Sequence, residues 1–170
     1  MREEAKNTKK LDNKGFSLIE LIIVIAIMAI LIGIVGTQVV PYIEKSKQAK
    51  DQQVLSGLLT SATTAFASNA ELVKEGTKYS FEIDGTTKST GNLDPKVINE
   101  FYELSGLKKS DATGGTVNGD LTTLKGKMTS KAGLDIKSVT IERSDTGVVT
   151  VKTVTTDSKY SSVFGDLSST

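Results

Sequence analysis

Residues 21–36 read LIIVIAIMAILIGIVG, a run of sixteen residues without one polar side chain. The apolar stretch extends from Phe16 to Val40, 25 residues that are interrupted only by Ser17, Glu20, Thr37 and Gln38. A helix of that length measures roughly 37 Å, whereas the hydrocarbon core of a bilayer is about 30 Å thick. A core helix of a soluble domain normally shows a polar stripe, which is missing here. The stretch therefore predicts a membrane-inserted helix.

The composition argues against catalysis and against nucleic-acid binding. The 170-residue chain suits one globular domain with accessory segments, and its 21 Lys and Arg against 20 Asp and Glu leave no basic excess for a phosphate backbone. The absence of Cys excludes disulfides and thiol chemistry, and the absence of His removes the usual general base and the commonest metal ligand. We therefore expect a protein that is not an enzyme and that holds no cofactor or metal ion.

A basic segment of fifteen residues precedes the apolar run. Its net charge of +2 comes from five basic and three acidic residues, namely Arg2, Lys6, Lys9, Lys10, Lys14, Glu3, Glu4 and Asp12. Such a segment stays cytoplasmic under the positive-inside rule. The small residues that could mark a secretory cleavage site, Gly33 and Gly36, lie inside the apolar stretch, so hydropathy alone favours an uncleaved signal anchor.

Glu20 is the one ionisable residue of the apolar span. A carboxylate in a bilayer costs several kcal/mol and less near the interface, so such a residue is a functional candidate. It could reach the headgroups, become protonated, or pair with a cation that another chain supplies. The best local candidate for that cation is the free amine of a newly made N-terminus.

The segment Lys14–Leu21, KGFSLIEL, together with the apolar run behind it, resembles the class III signal sequence of type IV prepilins. The shared features are a basic residue and Gly before the cut, Phe after it, and Glu at the fifth mature position. The resemblance covers residues 1 to about 45 closely and the remaining chain only in general architecture. It implies that a prepilin peptidase cuts between Gly15 and Phe16, that the new Phe16 amine is methylated, and that Glu20 meets the Phe16 amine of a neighbouring subunit.

The resemblance also implies a function, partners and a location. The expected function is that of a major pilin, polymerised into a type IV pilus for adhesion, twitching motility or aggregation. The expected partners are copies of the chain itself, the prepilin peptidase, the pilus assembly platform with its ATPase, and the inner or cytoplasmic membrane; the pilus itself lies on the cell surface. A pseudopilin of a type II secretion or competence apparatus is the alternative within the superfamily. A signal-anchored binding protein that does not polymerise is an alternative outside it.

One position departs from the pattern of the family. Many pilins carry a proline just after the apolar run, where this chain has Thr37 and reaches Pro41 only four residues later. Gly33 and Gly36 each weaken a helix by about 1 kcal/mol relative to Ala, and Pro41 removes a hydrogen bond to the preceding turn. These residues predict a bend or partial unwinding between Gly33 and Pro41.

The patterns and the resemblance together predict four segments: a leader over 1–15 that the resemblance implies is cleaved, a transmembrane and assembly helix over 16–40, an amphipathic continuation of that helix over 41–75, and a β-rich head over 76–170. Apolar residues at three- and four-residue spacing from Val54 to Val73 predict a face packed on a core. Charged residues from Glu44 to Asp51 predict a solvated or subunit-contacting stretch before it. The fold class is α+β, a long N-terminal helix against a small antiparallel sheet, as in type IV pilins.

The head contains recognisable local signals, which are listed here in chain order. The first is a strand with alternating Tyr79, Phe81 and Ile83, closed by Asp84-Gly85, and the second is a helix that starts at Asp94-Pro95, buries Val97, Ile98, Phe101 and Leu104, and ends at Gly106. A loop over 108–120 separates this helix from a hairpin with Val139 and Ile141, the turn Asp145-Thr146-Gly147, and Val149 and Val151. The last is a strand or packed tail with Val154, Tyr160, Val163 and Phe164. Asp84 with Asp94, or Asp145 with Asp157, could be offered as Ca²⁺ ligands. Without a D-x-D-x-D-G loop, roles in turns are favoured for these residues.

Overall fold

The computed structural model describes residues 15–83, 93–107, 109–110, 118–119 and 121–169. The leader before Gly15, the turn predicted at Asp84 and Gly85, and most of the loop predicted over 108–120 lie outside these residues. The chain divides into two compact units, one up to Pro41 and one from Tyr42 onward.

The described residues form five α-helices and six β-strands. In chain order they are α1 (Leu18–Ile34), α2 (Val40–Ser68), β1 (Tyr79–Ile83), α3 (Pro95–Ser105), β2 (Lys109–Ser110), β3 (Asn118–Gly119), α4 (Leu121–Lys127), α5 (Lys131–Leu134), β4 (Ile136–Arg143), β5 (Val149–Thr155) and β6 (Leu167–Ser168). A π-helical segment covers Val35–Val39, and 3₁₀ turns cover Ala70–Leu72 and Ser158–Tyr160.

The first unit consists of α1, the π-helical segment Val35–Val39 and the start of α2. The Thr37 hydroxyl donates to the carbonyl oxygens of Gly33 and Ile34, both at 3.2 Å. Pro41 has no N–H for the carbonyl four residues earlier. The irregular turns thus lie in the segment where the sequence predicts a bend. A π turn is compatible with a bend without requiring one, so the bend itself stays a prediction.

Most of α2 belongs to the second unit and buries one face of the helix. Its buried apolar residues keep the predicted spacing and are Leu55, Leu58, Ala62, Ala65 and Phe66. The helix ends at Ser68, so the prediction of a helix through residue 75 is wrong over its last seven residues. Asn69 leaves helical geometry at φ −112° and ψ 34°, and its side-chain amide donates to the Ala65 carbonyl at 3.0 Å. Asn side chains that compete for backbone groups in this way favour helix ends.

The main sheet is antiparallel with strand order β1-β4-β5-β6, and β2 pairs with β3 in a second, two-stranded sheet. Phe81 faces Ile141, which in turn faces Val151, so one side of three strands points into the core. Gly147 adopts φ 90° in the turn between β4 and β5, a conformation that favours glycine. The predicted β1 strand, the predicted hairpin and the α+β class are confirmed.

The helix α3 packs on this sheet through its aromatic residues. The rings of Phe101 and Phe81 meet edge to face with centroids 5.0 Å apart. Asp94 caps the helix and Gly106 ends it in the left-handed conformation, as predicted. Leu104 is 49% exposed, however, and the buried face continues through Tyr102 instead. At 100° per residue, Leu104 lies about 90° from the centre of that face.

The sequence signals give no indication of α4 or α5, which fill part of the stretch between α3 and the hairpin. Both are short, and α5 has only four residues. At the C-terminal end, Phe164 is buried in the core and Tyr160 and Val163 pack against it, which confirms the packed tail for these three residues. Val154 instead belongs to β5 and is 48% exposed. The strand β6 adds two residues to the sheet edge beside β5.

Candidate functional site

The helix α1 is apolar on all sides and has no buried residue. Every described residue up to Ile43 is exposed, and Phe16 reaches 92%. Burying one large apolar side chain stabilises a protein by about 1.5–3 kcal/mol. In water, this helix lacks that stabilisation at each of its exposed apolar positions. An apolar surface of this size marks an interaction with a membrane or another protein. By length and composition, the helix Leu18–Ser68 contains a stretch able to cross a membrane.

Glu20 lies in the first turn of α1, where the helix dipole favours a negative charge. Its Oε2 accepts a hydrogen bond from the backbone N–H of Ser17 at 2.8 Å. The carboxylate therefore caps its own helix, a role that the sequence reasoning missed. The S-x-x-E spacing of Ser17 and Glu20 is a known capping signal and could have predicted it.

The residues on either side of the predicted cleavage point are accessible. Gly15, Phe16 and Ser17 are exposed and precede the first helical residue. A Cβ added at Gly15 would meet no atom within 4 Å. The predicted bend residues Gly33 and Gly36 are equally open, because a Cβ at either position would also meet nothing within 4 Å. Their surroundings in one chain therefore do not require glycine.

A second polar cluster lies in the second unit, around the fully buried side chain of Asp51. Its carboxylate accepts hydrogen bonds from the backbone N–H of Thr129 and Ser130, both at 2.8 Å, and from their hydroxyl groups at 3.1 and 2.6 Å. The prediction that Asp51 belongs to a solvated or subunit-contacting stretch is wrong, whereas Lys47 and Lys50 are exposed. Four donors compensate the burial of the carboxylate. Asp51 lies four residues before Leu55, on the buried face, and this spacing could have revealed it.

Two further contacts complete the cluster. Oε1 of Glu44 accepts from the backbone N–H of Lys131 at 2.6 Å. Gly133 approaches Asp51 so closely that a Cβ there would lie 2.3 Å from Oδ2. Glycine at position 133 is thus required by space, and the start of α5 is fastened to α2 by two carboxylates.

The described aspartates that could be offered as Ca²⁺ ligands accept hydrogen bonds in turns and at helix ends. Asp94 and Asp157 each accept from the backbone N–H two residues on, and Asp145 accepts from the next N–H. Lys159 donates to Asp157 at 2.6 Å, and this hydrogen bond holds the pKa of the Asp157 carboxyl below its usual value. The predicted turn roles are confirmed for these three residues, and Asp84 lies outside the described ones. Among the described residues, no group of three or more His, Cys, Asp or Glu could hold a metal ion.

Comparison with known proteins decides the family. The model of the prokaryotic N-terminal methylation motif matches residues 10–36. A fimbrial protein of Pseudomonas aeruginosa is 31% identical over 150 residues, which are 86% of this chain and 90% of that relative. A type IV major alpha-pilin of Moraxella bovis is 34% identical over 147 residues, 82% of this chain and 84% of that relative. The chain belongs to the type IV pilin family.

The resemblance of the KGFSLIEL segment to type IV prepilins is thereby confirmed. The matched motif of this pilin contains Gly15, Phe16 and Glu20 together with the whole of α1. The relatives extend the similarity through most of the head, well beyond the segment that carries the motif. They favour a pilin over a secretion pseudopilin and over a non-polymerising anchored protein. No solved structure matches the chain at a significant level.

Proposed function

We propose that this pilin is the major subunit of a type IV pilus that serves adhesion, twitching motility or aggregation, and that it has no catalytic role. The observation that carries the proposal is an apolar helix exposed on every side in a chain whose relatives are a fimbrial protein and a major pilin. Packing of such helices in a filament core would bury the surface that one chain leaves open.

Maturation removes the leader. The prepilin peptidase cuts between Gly15 and Phe16 on the cytoplasmic side, and the new Phe16 amine is methylated. The exposed, non-helical backbone at this junction supports the proposal, because a protease needs an accessible segment. Glycine before the cut lets the enzyme approach the backbone closely.

Assembly uses the charge of Glu20. Its carboxylate pairs with the Phe16 amine of a neighbouring subunit, because a charge in an apolar filament core needs a partner. The capping bond to Ser17 does not prevent this pairing, since a carboxylate offers about four acceptor positions. The same side chain can therefore cap the N-terminal end of its own helix and pair with the neighbour's amine.

The same helix supports the proposed location. Precursor and mature subunit reside in the cytoplasmic membrane through residues 16–40, and the assembled pilus lies on the cell surface. The assembly platform and its ATPase move the subunit from one apolar environment to the other. Gly33, Gly36 and Pro41 supply the bend that adjusts the helix to its neighbours.

Mass spectrometry of sheared surface filaments tests the proposal. We expect this chain as their main component, with N-methylated Phe16 as its first residue, and no such filaments on cells that lack the gene. Filaments that persist without the gene, or a mature form that still begins at Met1, would contradict the proposal.

A further inference from the structure

Arg143 is a cation at the end of a strand, on the core-facing side of the main sheet. It is the last residue of β4 and lies opposite Tyr79 of β1 and Val149 of β5, which are both buried. Residues directly opposite one another on neighbouring strands point to the same face of a sheet. The side chain of Arg143 therefore lies on the face that the core covers, one alternation beyond the buried Ile141.

The described residues provide no counter-charge for the guanidinium group of Arg143. Its Nη1 is buried and has no hydrogen-bond partner among them, and neither of the ion pairs that they form includes Arg143. Arginine keeps its positive charge at any ordinary pH, and a buried charge is costly unless it is paired. The head thus presents a cation that an anion from outside these residues would stabilise.

Arg143 lines a cavity of about 240 Å³, together with residues from the C-terminal part of α2 and from the start of β5. We call it the Arg143 cavity. Its walls are mostly apolar, and Phe66, Val73 and Val149 are their buried members. Gly147 also lines it and approaches the guanidinium group, since a Cβ there would lie 3.4 Å from Nη2 of Arg143. A molecule in this cavity would therefore meet an apolar wall and a positive charge together.

The size and the charge of the Arg143 cavity define a class of ligand. Pockets for drug-sized molecules measure about 300–1,000 Å³, so a cavity of about 240 Å³ suits a smaller molecule, with a ring or a short chain as its body. Glu75 lines the same cavity and is exposed. Its negative charge disfavours a ligand with two negative charges more than a ligand with one. A carboxylate carries one charge and matches the forked donors of a guanidinium group.

We propose that the Arg143 cavity binds a small organic monocarboxylate whose apolar body packs on Phe66 and Val73. The carboxylate accepts hydrogen bonds from the guanidinium group of Arg143, including one from the buried Nη1. The bound molecule thereby links the C-terminal part of α2 to the end of the sheet. The site belongs to the head of a single chain and does not depend on the function proposed above.

Ligand-observed NMR titration of the full-length subunit in phosphatidylcholine nanodiscs tests the proposal, with empty nanodiscs as the reference. Phenylacetate is the probe, because it joins one carboxylate to an apolar ring. For a molecule of its size we expect a dissociation constant on the order of 1 mM. Benzyl alcohol lacks the charge, and phenyl phosphate carries nearly two negative charges at neutral pH. Each should bind more weakly than phenylacetate, by roughly tenfold or more.

Three substitutions locate the bound probe. Arg143→Gln removes the charge that the carboxylate meets, so the affinity for phenylacetate should fall by roughly tenfold or more. Lys78→Gln is the control, because it removes the same charge from a residue that lines a different cavity, of about 310 Å³, which also touches Arg143. That variant should change the affinity by less than about twofold, since salt screens an exposed lysine. Ala67→Phe keeps Arg143 but narrows the Arg143 cavity, so it should also weaken binding.

Circular dichroism verifies that each variant is folded. Wild-type affinity in Arg143→Gln, an equal loss of affinity in Lys78→Gln, or tighter binding of phenyl phosphate than of phenylacetate would overturn the proposal. So would the absence of binding to the wild-type subunit. Should Arg143→Gln fail to fold, unchanged affinity in Ala67→Phe would be sufficient to overturn it, because that variant retains the guanidinium group.

Discussion

Replacement of Asp51 by Ala should destabilise the head more than any single polar substitution at its surface. The change leaves the N–H groups of Thr129 and Ser130 without their acceptor, while the two hydroxyl groups can rotate toward other partners. An unsatisfied buried donor costs about 1–3 kcal/mol, so we expect a loss of about 2–6 kcal/mol. That is a large part of the 5–15 kcal/mol that stabilises a typical domain.

Two comparison variants distinguish the cost of leaving buried donors unsatisfied from the effect of losing a carboxylate as such. Asp51→Asn keeps the shape and one good acceptor oxygen, so about half the loss should remain. Glu44→Ala also removes a bond to a backbone N–H, but this bond is exposed to solvent and water replaces it. For that variant we expect a loss below about 1 kcal/mol.

Urea unfolding of residues 42–170, followed by circular dichroism, measures these differences. At a slope of about 2 kcal/mol per molar urea, a loss of 3 kcal/mol lowers the midpoint by about 1.5 M. A midpoint for Asp51→Ala within 0.3 M of that for Glu44→Ala, on the same scale, would refute the reasoning, because it would mean that the buried donors find other partners at little cost.

Three further predictions concern the same part of the protein. Gly133→Ala should destabilise the head by about 1–3 kcal/mol in the same unfolding assay, because its Cβ would lie 2.3 Å from Oδ2 of Asp51; an unchanged midpoint would show that this segment can move. Residues 42–170 alone should be a folded monomer by gel filtration, since the apolar helix is missing, and spontaneous filaments would place the assembly determinant elsewhere. Lys159 lowers the pKa of Asp157, so the stability that this pair contributes is present above pH 3.8 and is lost as the pH falls below it. In Asp157→Asn, the free energy of unfolding should therefore fall less steeply at acidic pH than it does in the wild-type protein. The same pH dependence in both proteins would show that the pair does not contribute.

The parts of the fold that the sequence predicts correctly are those that local patterns determine. The alternation of Tyr79, Phe81 and Ile83 predicts β1, and the Asp94-Pro95 start and Gly106 end predict α3. Each of these signals acts within one turn or one strand. The end of α2 was missed because one side chain, that of Asn69, outweighs a continuing apolar spacing.

The spacing to Leu55 places Asp51 on the buried face of α2, but the partners of Asp51 could not be predicted from local patterns. Its partners Thr129 and Ser130 lie 78 and 79 residues away along the chain, and a short segment such as α5 has no periodicity of its own. A charged residue on an apolar face looks solvated until its partners are known. By contrast, the Gly15, Phe16 and Glu20 assignments come from a contiguous motif, and the S-x-x-E spacing of Ser17 and Glu20 also carries the capping signal that the sequence reasoning overlooked.

Glu20→Gln is the measurement that tests the central claim most directly. A glutamine can still accept the Ser17 N–H and cap α1, but it carries no charge to pair with the Phe16 amine of a neighbour. An unpaired buried cation costs about 3–5 kcal/mol, and the loss recurs at every subunit. Sheared surface filament should therefore be lost or severely reduced in this variant, while the membranes still contain processed subunit that begins at Phe16. Normal filaments from Glu20→Gln would contradict the claim, because they would show that capping the helix is all that the carboxylate does.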